Sequence, residues 1–230
     1  MGWPSRRRRE HSERPLPGFK LAYPMLSADG TAAGFSGLTI GRAHVYHRVA
    51  DAECGHGFGH ASPARGCDCG FYCFHELGAA LDLACEPEYR GAVLLEVAAS
   101  GRYRRHERGL RYSRQRVRTV RVGRCDCGRP AEVLADSGTG VVGWRRLVSV
   151  CAGCAGGRPV LEPATFGRLV GGEVAVTTGG LPPGPLAPLP GAPDPGAAGA
   201  AGAVGVLSAV VALLQARLDV LAARLDALDK

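Results

Sequence analysis

The sequence has little large apolar bulk for its length. Leu, Ile, Val and Phe account for only 52 of 230 residues, and just one of these is isoleucine. This share lies just above the level at which chains stop folding on apolar burial alone, so a single compact core that takes in the whole chain is not expected. Gly and Pro supply 34 and 16 residues instead. We therefore expect one modest domain, stabilised by something besides hydrophobic area and flanked by unstructured segments.

Patterns typical of exported proteins and of common enzyme classes are also missing. After the basic run Arg6–Arg9, the segment Glu10–Gly18 is polar and broken by proline, where a secretion signal needs an apolar stretch. There is no phosphate-binding loop, no H-E-x-x-H pair and no nucleophile motif. These absences favour a cytoplasmic binding protein over a secreted one or an enzyme.

Composition divides the chain into five regions. Residues 1–20 are basic and lack periodicity, which predicts a disordered arm or, as the alternative, an arm that orders on nucleic acid. All nine cysteines fall in a β-rich Cys/His domain, 21–122, and a zinc-ribbon-like region, 123–178. A Pro/Gly-rich linker, 179–203, then leads to a coiled-coil helix, 204–230. The predicted fold class is mostly β (α+β), a small barrel or meander with a zinc ribbon.

The body, 21–178, alternates short apolar runs with glycine-containing turns, which is typical of hairpins. Two stretches have the spacing of short helices, Cys73–Cys85 and Pro163–Leu169. The predicted strands are Ala92–Ala98, a hairpin of Gly101–His106 with Leu110–Val117 around Glu107–Gly109, and a hairpin of Ala131–Leu134 with Val141–Val150 around Ser137–Gly140.

Two cysteine pairs flank the second predicted hairpin. Cys125 and Cys127 are separated by 23 residues from the pair Cys151 and Cys154. Tetrahedral zinc needs four ligands close in space, and two pairs at strand ends supply them with little loss of chain entropy. The first pair is C-x-C, where zinc ribbons usually have C-x2-C. Structural zinc is the favoured interpretation, and free buried thiols or a redox pair are the alternatives.

A second cluster combines cysteine with histidine. Cys54, His60, Cys67 and Cys69 would complete a zinc site of three cysteines and one histidine, and the string Cys-Asp-Cys-Gly recurs from the first motif. One alternative is a glycine-rich loop with small buried thiols. Another is a three-ligand catalytic zinc within 54–75, with Glu53 or Glu76 as general base of a hydrolase.

Part of the chain resembles a group of uncharacterised actinobacterial proteins. The similarity follows Cys54, His60-x2-Pro63 and Cys67-x-Cys69-Gly-Phe-Tyr, and then a strand and a glycine-bounded hairpin that reaches Arg111. It covers residues 36–122 and departs at Ser100, where that group often has tryptophan. The resemblance implies a β-rich unit with a shared Cys/His knuckle, and it implies no activity.

Positive charge is concentrated in one hairpin. Residues 102–124 contain ten arginines and one glutamate, whereas the whole chain has a net charge of +7. On a strand, alternate arginines share one face and Val117 and Thr119 take the other. Such a stripe suits phosphate groups, with Tyr103 and Tyr112 available for base stacking. The alternative is a solvated surface, as in a purely structural assembly protein that uses the C-terminal helix and not the arginines. The expected ligands of nucleic acid or an acidic protein are Arg104, Arg105, Arg111, Arg114, Arg116 and Arg118.

The C-terminal segment 204–230 carries an unbroken heptad pattern. Valine or leucine occupies every a position from Val204 and leucine every d position from Leu207. A helix of this length is marginal alone, so we expect a homo-oligomer through this segment. A membrane span over Ala197–Leu214 is disfavoured, since most of these residues are small and the heptads continue into charged sequence.

Overall fold

The computed structural model describes residues 10–38, 44–172 and 174–178. These residues form a mostly β-stranded protein. The strands are β1 Glu10–Ser27, β2 Ala33–Ser36, β3 Val45–Tyr46, β4 Val49–Asp51, β5 Phe71–Phe74, β6 Val93–Arg105, β7 Gly109–Val122, β8 Val133–Val141, β9 Trp144–Val150, β10 Val160–Leu161 and β11 Ala175–Thr178. The helices are α1 Leu77–Ala84, α2 Ala152–Ala155 and α3 Pro163–Leu169, with a 3₁₀ turn at Pro87–Tyr89. The predicted linker and coiled coil lie outside the described residues.

The first strand corrects the expected disordered arm. Residues 10–20 belong to β1, which runs antiparallel to β6 with Gly18 opposite Val97. A shift of register between Ser12 and Leu16 takes up the proline at position 15. The sequence does not predict this strand, because its proline and basic residues are typical of a disordered segment. Its partner also lies some 80 residues further along the chain, so no local pattern indicates the pairing. Residues 1–9 are outside the described part.

Four strands close into a ring. β6 and β7 form the predicted arginine hairpin, whose turn is fixed by a hydrogen bond from the His106 N–H to the Gly109 carbonyl at 2.8 Å. β1 pairs with β6, β5 pairs with β7, and a single pair between Phe19 and Phe74 joins β5 to β1. All of these pairings are antiparallel, whereas β11 runs parallel to β7. The mostly β, largely antiparallel class is therefore confirmed, and the small barrel or meander stays a prediction.

The second hairpin, β8–β9, is present, but its turn differs from the prediction. The chain reverses at Val142-Gly143, with Val141 opposite Trp144. The predicted turn lies inside β8, where the pairing is irregular between Asp136 and Gly140. A Cβ atom on Gly140 would lie 2.1 Å from the Trp144 carbonyl oxygen, so this glycine permits close approach of two strands and does not form the turn.

The two predicted regions 21–122 and 123–178 belong to one sheet and one core. β9 pairs with β1 through Met25 opposite Arg146, and the main hydrophobic cluster takes residues from both sides of the boundary. Among its fully buried members are Phe35, Tyr112 and Leu134. The boundary at 122 is therefore not a domain boundary.

A lysine is buried inside the ring. Lys20 is 8% exposed, and its Nζ lies 4.8 Å from the Tyr46 ring centre, 5.0 Å from that of Phe71 and 3.4 Å from Gln115 Oε1. Aromatic faces and an amide oxygen therefore solvate the ammonium group in place of water.

The helices are short. The predicted helix over 73–85 begins four residues later, because Cys73 and Phe74 belong to β5, and α1 then packs Ala80 against Leu21 and Leu94. The prediction for α3 is confirmed. No helix in the described part of the chain is long and apolar enough to cross a membrane.

Candidate metal centres and the arginine face

The structure brings together all four cysteines that flank the second hairpin. Cys125 and Cys127 lie on a tight turn closed by the Gly128 N–H, which donates to the Cys125 carbonyl at 2.8 Å. Gly128 has φ +84°, a conformation that glycine adopts without strain. Cys151 and Cys154 lie at the start of α2, where the Cys154 N–H donates to the Cys151 carbonyl at 3.0 Å. The four sulfur atoms lie within 4.8 Å of one another.

The spacing of these sulfurs fits a tetrahedral ion. Sulfur atoms about 2.3 Å from a tetrahedral zinc ion are separated from one another by about 3.8 Å. The Sγ atoms of Cys127 and Cys151 lie 3.7 Å apart. Cys125 and Cys151 are buried, and Cys127 is exposed. The group could hold a metal ion without rearrangement of the backbone.

Electrostatics in this cluster also favour a cation. Arg129 Nε donates to Cys127 Sγ at 3.4 Å and, with the Arg129 backbone N–H, lowers the pKa of the Cys127 thiol to about 6. Hydrogen bonds to Cys125, Cys127 and Cys151 raise the pKa of the Cys154 thiol to about 12. Four thiolates cannot be ionised together at this distance unless a positive ion lies between them.

The Cys/His cluster is built on the long loop between β4 and β5. The Sγ atoms of Cys54 and Cys67 lie 3.8 Å apart, and His60 Nε2 lies 3.3 Å from Cys69 Sγ. All four donor atoms lie within 4.8 Å of one another. The sequence predicts this set from spacing, because the four residues lie within one short stretch of chain and a loop can bring them together.

The Cys69 thiol has a lowered pKa. Burial acts to raise its pKa, but hydrogen bonds from the Ser62 side chain, the Ala64 backbone N–H and His60 together lower it to about 6. The Cys69 thiolate is therefore prepared as a ligand.

The proposed catalytic variant of this cluster does not match the geometry. A catalytic zinc requires that either Cys54 or Cys69 is not a ligand, yet the sulfur atoms of both lie within 4.8 Å of the other donor atoms of the cluster. Four protein ligands leave no open position on tetrahedral zinc. Nearby Cys73 belongs to the hydrophobic core, where burial raises the pKa of its thiol to about 11, and His75 Nε2 contacts the His106 carbonyl instead.

Arg111 anchors the Cys/His loop to the hairpin. Its side chain is 7% exposed, and its guanidinium donates to the Ala64 carbonyl at 2.9 Å and to the Cys67 carbonyl. A Cβ atom on Gly70, which has φ +122°, would lie 3.0 Å from Arg111 Cγ. This position disfavours the prediction that Arg111 binds a polyanion, because the side chain is buried and both of its terminal nitrogens already donate inside the protein. No pattern in the sequence indicates this contact, since Arg111 is one of ten arginines in the hairpin.

The other arginines predicted to bind anions differ in availability. Arg114 forms a bidentate pair with Asp51, both bonds being 2.7 Å, and this hydrogen bonding lowers the pKa of the Asp51 carboxyl. Arg104 is half-buried and Arg105 exposed. Arg116 and Arg118 are exposed and form no ion pair with any described residue.

Arg116 and Arg118 border a groove of about 450 Å³ on the outer side of the sheet. Small side chains of β6, Ala98 and Ser100, contribute to its lining, as does Arg48 from the segment before β4. One carboxylate, Glu13, lies on the wall formed by β1. Arg48 was missed in the sequence because it lies far from the arginine-rich hairpin and joins it only through strand pairing. We call the exposed side of β7 with this groove the arginine face.

The alternation of β7 follows the prediction up to Arg118. Gln115 and Val117 are buried while Arg114 and Arg116 are exposed. The pairing with β6 shifts there, with Val97 opposite Val117 and Glu96 opposite Thr119, so Thr119 is only half-buried. Tyr112 is fully buried and Tyr103 packs partly against the core, so the predicted base stacking by Tyr112 is wrong.

Comparisons of the chain with protein-family models, with curated proteins and with solved structures gave no match. The resemblance to the actinobacterial group therefore stays a prediction, and function is inferred from the two clusters and the arginine face.

Proposed function

We propose that the protein is a zinc-stabilised binding protein that contacts nucleic acid through its arginine face. The observation that carries this proposal is the groove bordered by Arg116 and Arg118, whose guanidinium groups are exposed and unpaired among the described residues. Phosphate oxygens match the planar, bidentate donors of arginine. The partner chemistry that fits is a chain of phosphates.

Zinc is the ion that best suits both clusters. Thiolate and imidazole ligands in tetrahedral sets select zinc over magnesium, calcium or manganese. The four-cysteine set at the second hairpin has the ligand arrangement of a zinc ribbon, and the set of three cysteines and one histidine has that of a closed structural site. We assign zinc a structural role, since the chain has little apolar bulk and metal binding supplies folding free energy. The hydrolase alternative gains no support, because no ligand position is left for water.

Replacement of both groove arginines is the test of the arginine face. We expect Arg116→Gln with Arg118→Gln to weaken binding of an oligonucleotide and to flatten its salt dependence. The slope of log K against log salt should fall by roughly 0.7 to 0.9 for each phosphate that the variant no longer neutralises. Fluorescence anisotropy at several salt concentrations, with a single strand and with a duplex, measures both quantities.

The control is Arg168→Gln with Arg108→Gln, which removes the same charge from exposed arginines outside the groove. An equal loss of affinity in the control would show that net charge alone attracts nucleic acid. Binding that does not weaken steeply with salt in the parent chain would count against the arginine face.

We also propose that residues 204–230 assemble copies of the chain. The heptad pattern supports this, with leucine at every d position. Leu221→Asp places a charge at a d position and should convert the oligomer to a monomer. Ala223→Asp adds the same charge at position f, away from the seam, and should leave the assembly intact. Light scattering of both full-length variants measures the mass, and a monomeric parent chain would contradict the proposal.

A further inference from the structure

Two aromatic rings stand out from the surface beside the Cys/His cluster. Phe58 is 61% exposed and Tyr72 is 48% exposed, and they are the exposed aromatic side chains of the described residues. Burial of such rings is favourable by a few kcal/mol. Exposed rings of this kind are available to contact a ligand.

Both rings are held in fixed positions by the loop that carries the metal ligands. The Tyr72 hydroxyl donates to the Asp68 carbonyl at 2.7 Å. Asp68 in turn contacts His56 at 2.6 Å, and this hydrogen bond lowers the pKa of the Asp68 carboxyl. The Phe58 ring lies 5.8 Å from each of the rings of His56 and His60, at interplanar angles of 30° and 29°. The Tyr72 ring, held by its hydroxyl, loses little entropy when it contacts a ligand.

Tyr72 belongs to the same sheet as the arginine face. Tyr72 on β5 is opposite Arg111 on β7, which is opposite Arg104 on β6, and opposed residues of antiparallel strands point to the same side of the sheet. Along β7, the distance from Arg111 to Arg118 is seven residues, or about 23 Å at 3.3 Å per residue. An odd separation puts two residues on opposite sides of a regular strand, but Tyr112 and Gln115, three residues apart, are both fully buried, so the inward-facing positions of β7 change parity between them. Tyr72 and the exposed arginines of β7 therefore both face away from the core.

We infer that the nucleic acid bound at this surface is single-stranded, and that Phe58 and Tyr72 stack on its bases. This inference rests on the proposed function. In a duplex the faces of the bases are covered by their neighbours, so exposed rings gain nothing from it, whereas single strands offer every base face for stacking. Positive charge that tracks the backbone, combined with aromatic rings, is the arrangement used for single strands. The surface is long enough for several nucleotides, in the range of roughly 4 to 16 bound by one small β-barrel.

The test uses the full-length chain, loaded with zinc, and three labelled probes of about 16 nucleotides, the upper end of the known range. They are a single strand, the corresponding duplex, and a single strand of the same charge that lacks bases. We expect the parent chain to bind the single strand at least tenfold more tightly than the duplex or the abasic strand. Phe58→Ala and Tyr72→Leu should each weaken single-strand binding by about 5- to 100-fold. Neither change should affect binding of the abasic strand.

Three variants separate stacking from folding. Phe58→Trp and Tyr72→Phe keep an aromatic ring and should retain single-strand affinity, whereas the aliphatic changes should not. Val142→Ala removes a fully exposed apolar side chain at the β8–β9 turn and should have no effect. Zinc content equal to that of the parent shows that the loop of each variant is intact.

The outcomes distinguish the inference from the function on which it rests. Equal or tighter binding of the duplex, or unchanged single-strand binding by Phe58→Ala and Tyr72→Leu, would overturn the inference. If Arg116 and Arg118 still matter in that case, the arginine face binds phosphate chains and the proposed function survives. If none of the probes binds the parent chain, both fall.

Discussion

The Cys151→Ser variant is expected to bind one zinc ion per chain where the parent chain binds two, and to unfold at a lower temperature. Serine cannot replace the Cys151 thiolate, which lies 3.7 Å from the sulfur of Cys127 and is buried at the foot of the hairpin. At free zinc a thousandfold above the dissociation constant, one bound ion stabilises the native state by about 4 kcal/mol. For a domain of this size that corresponds to a fall in Tm of about 8 to 16 °C.

Metal analysis and calorimetry of the purified variant measure both effects. Cys85→Ser is the matched control, because Cys85 is half-buried at the end of α1 and belongs to neither cluster. It should keep two zinc ions and the Tm of the parent within a few degrees. A chelator that removes both ions should lower the Tm of the parent chain further than the substitution does, and it should lower the Tm of Cys151→Ser by less, because only one ion is left to remove. Two zinc ions in Cys151→Ser, or none in the parent, would contradict the assignment.

Features set by neighbouring residues could be predicted from the sequence. Each cysteine pair is separated by one or two residues, so the knuckle geometry is decided locally, and the sequence identifies Cys125, Cys127, Cys151 and Cys154 as a group. The β6–β7 hairpin is local in the same sense, because a short turn brings its strands together. Patterns of period two and glycine-containing turns report such structures directly.

Features set by residues far apart in sequence could not be predicted. Residues 10–20 form a strand because β6 offers them a partner, and composition gives no sign of that partner. Gly140 lies in a stretch whose composition is typical of a turn, but in the structure it lets β9 pass close to β8. The strand that lies opposite each arginine decides its role. Arg111 holds the Cys/His loop, Arg114 pairs with Asp51, and two further arginines, Arg116 and Arg118, border the groove. The sequence alone does not distinguish the roles of the ten arginines in this hairpin, because those roles depend on the neighbouring strands.

Arg111 therefore gives a prediction that its charge alone would not suggest. Arg111→Met should weaken zinc binding at the Cys54, His60, Cys67 and Cys69 cluster by about 10- to 100-fold, the effect seen when groups that orient metal ligands are removed. Methionine fills a similar volume but donates no hydrogen bond. The carbonyls of Ala64 and Cys67, which are half-buried, are then left without the donors that hold the loop on β7.

Competition with a series of chelators of increasing zinc affinity measures this effect. The parent chain should release its two ions to chelators of similar affinity. Arg111→Met should release one of its ions to a much weaker chelator. Arg105→Met removes an exposed arginine of the same hairpin and should behave as the parent. Arg111→Lys retains the charge but loses the planar fork that reaches two carbonyls, so its affinity should lie between the other two. Release of both ions from Arg111→Met at the parent's chelator strength would show that the loop holds its ligands unaided. An effect as large in Arg111→Lys as in Arg111→Met would show that the two hydrogen bonds matter and the charge does not, since charge alone cannot fix the separation of two carbonyl groups.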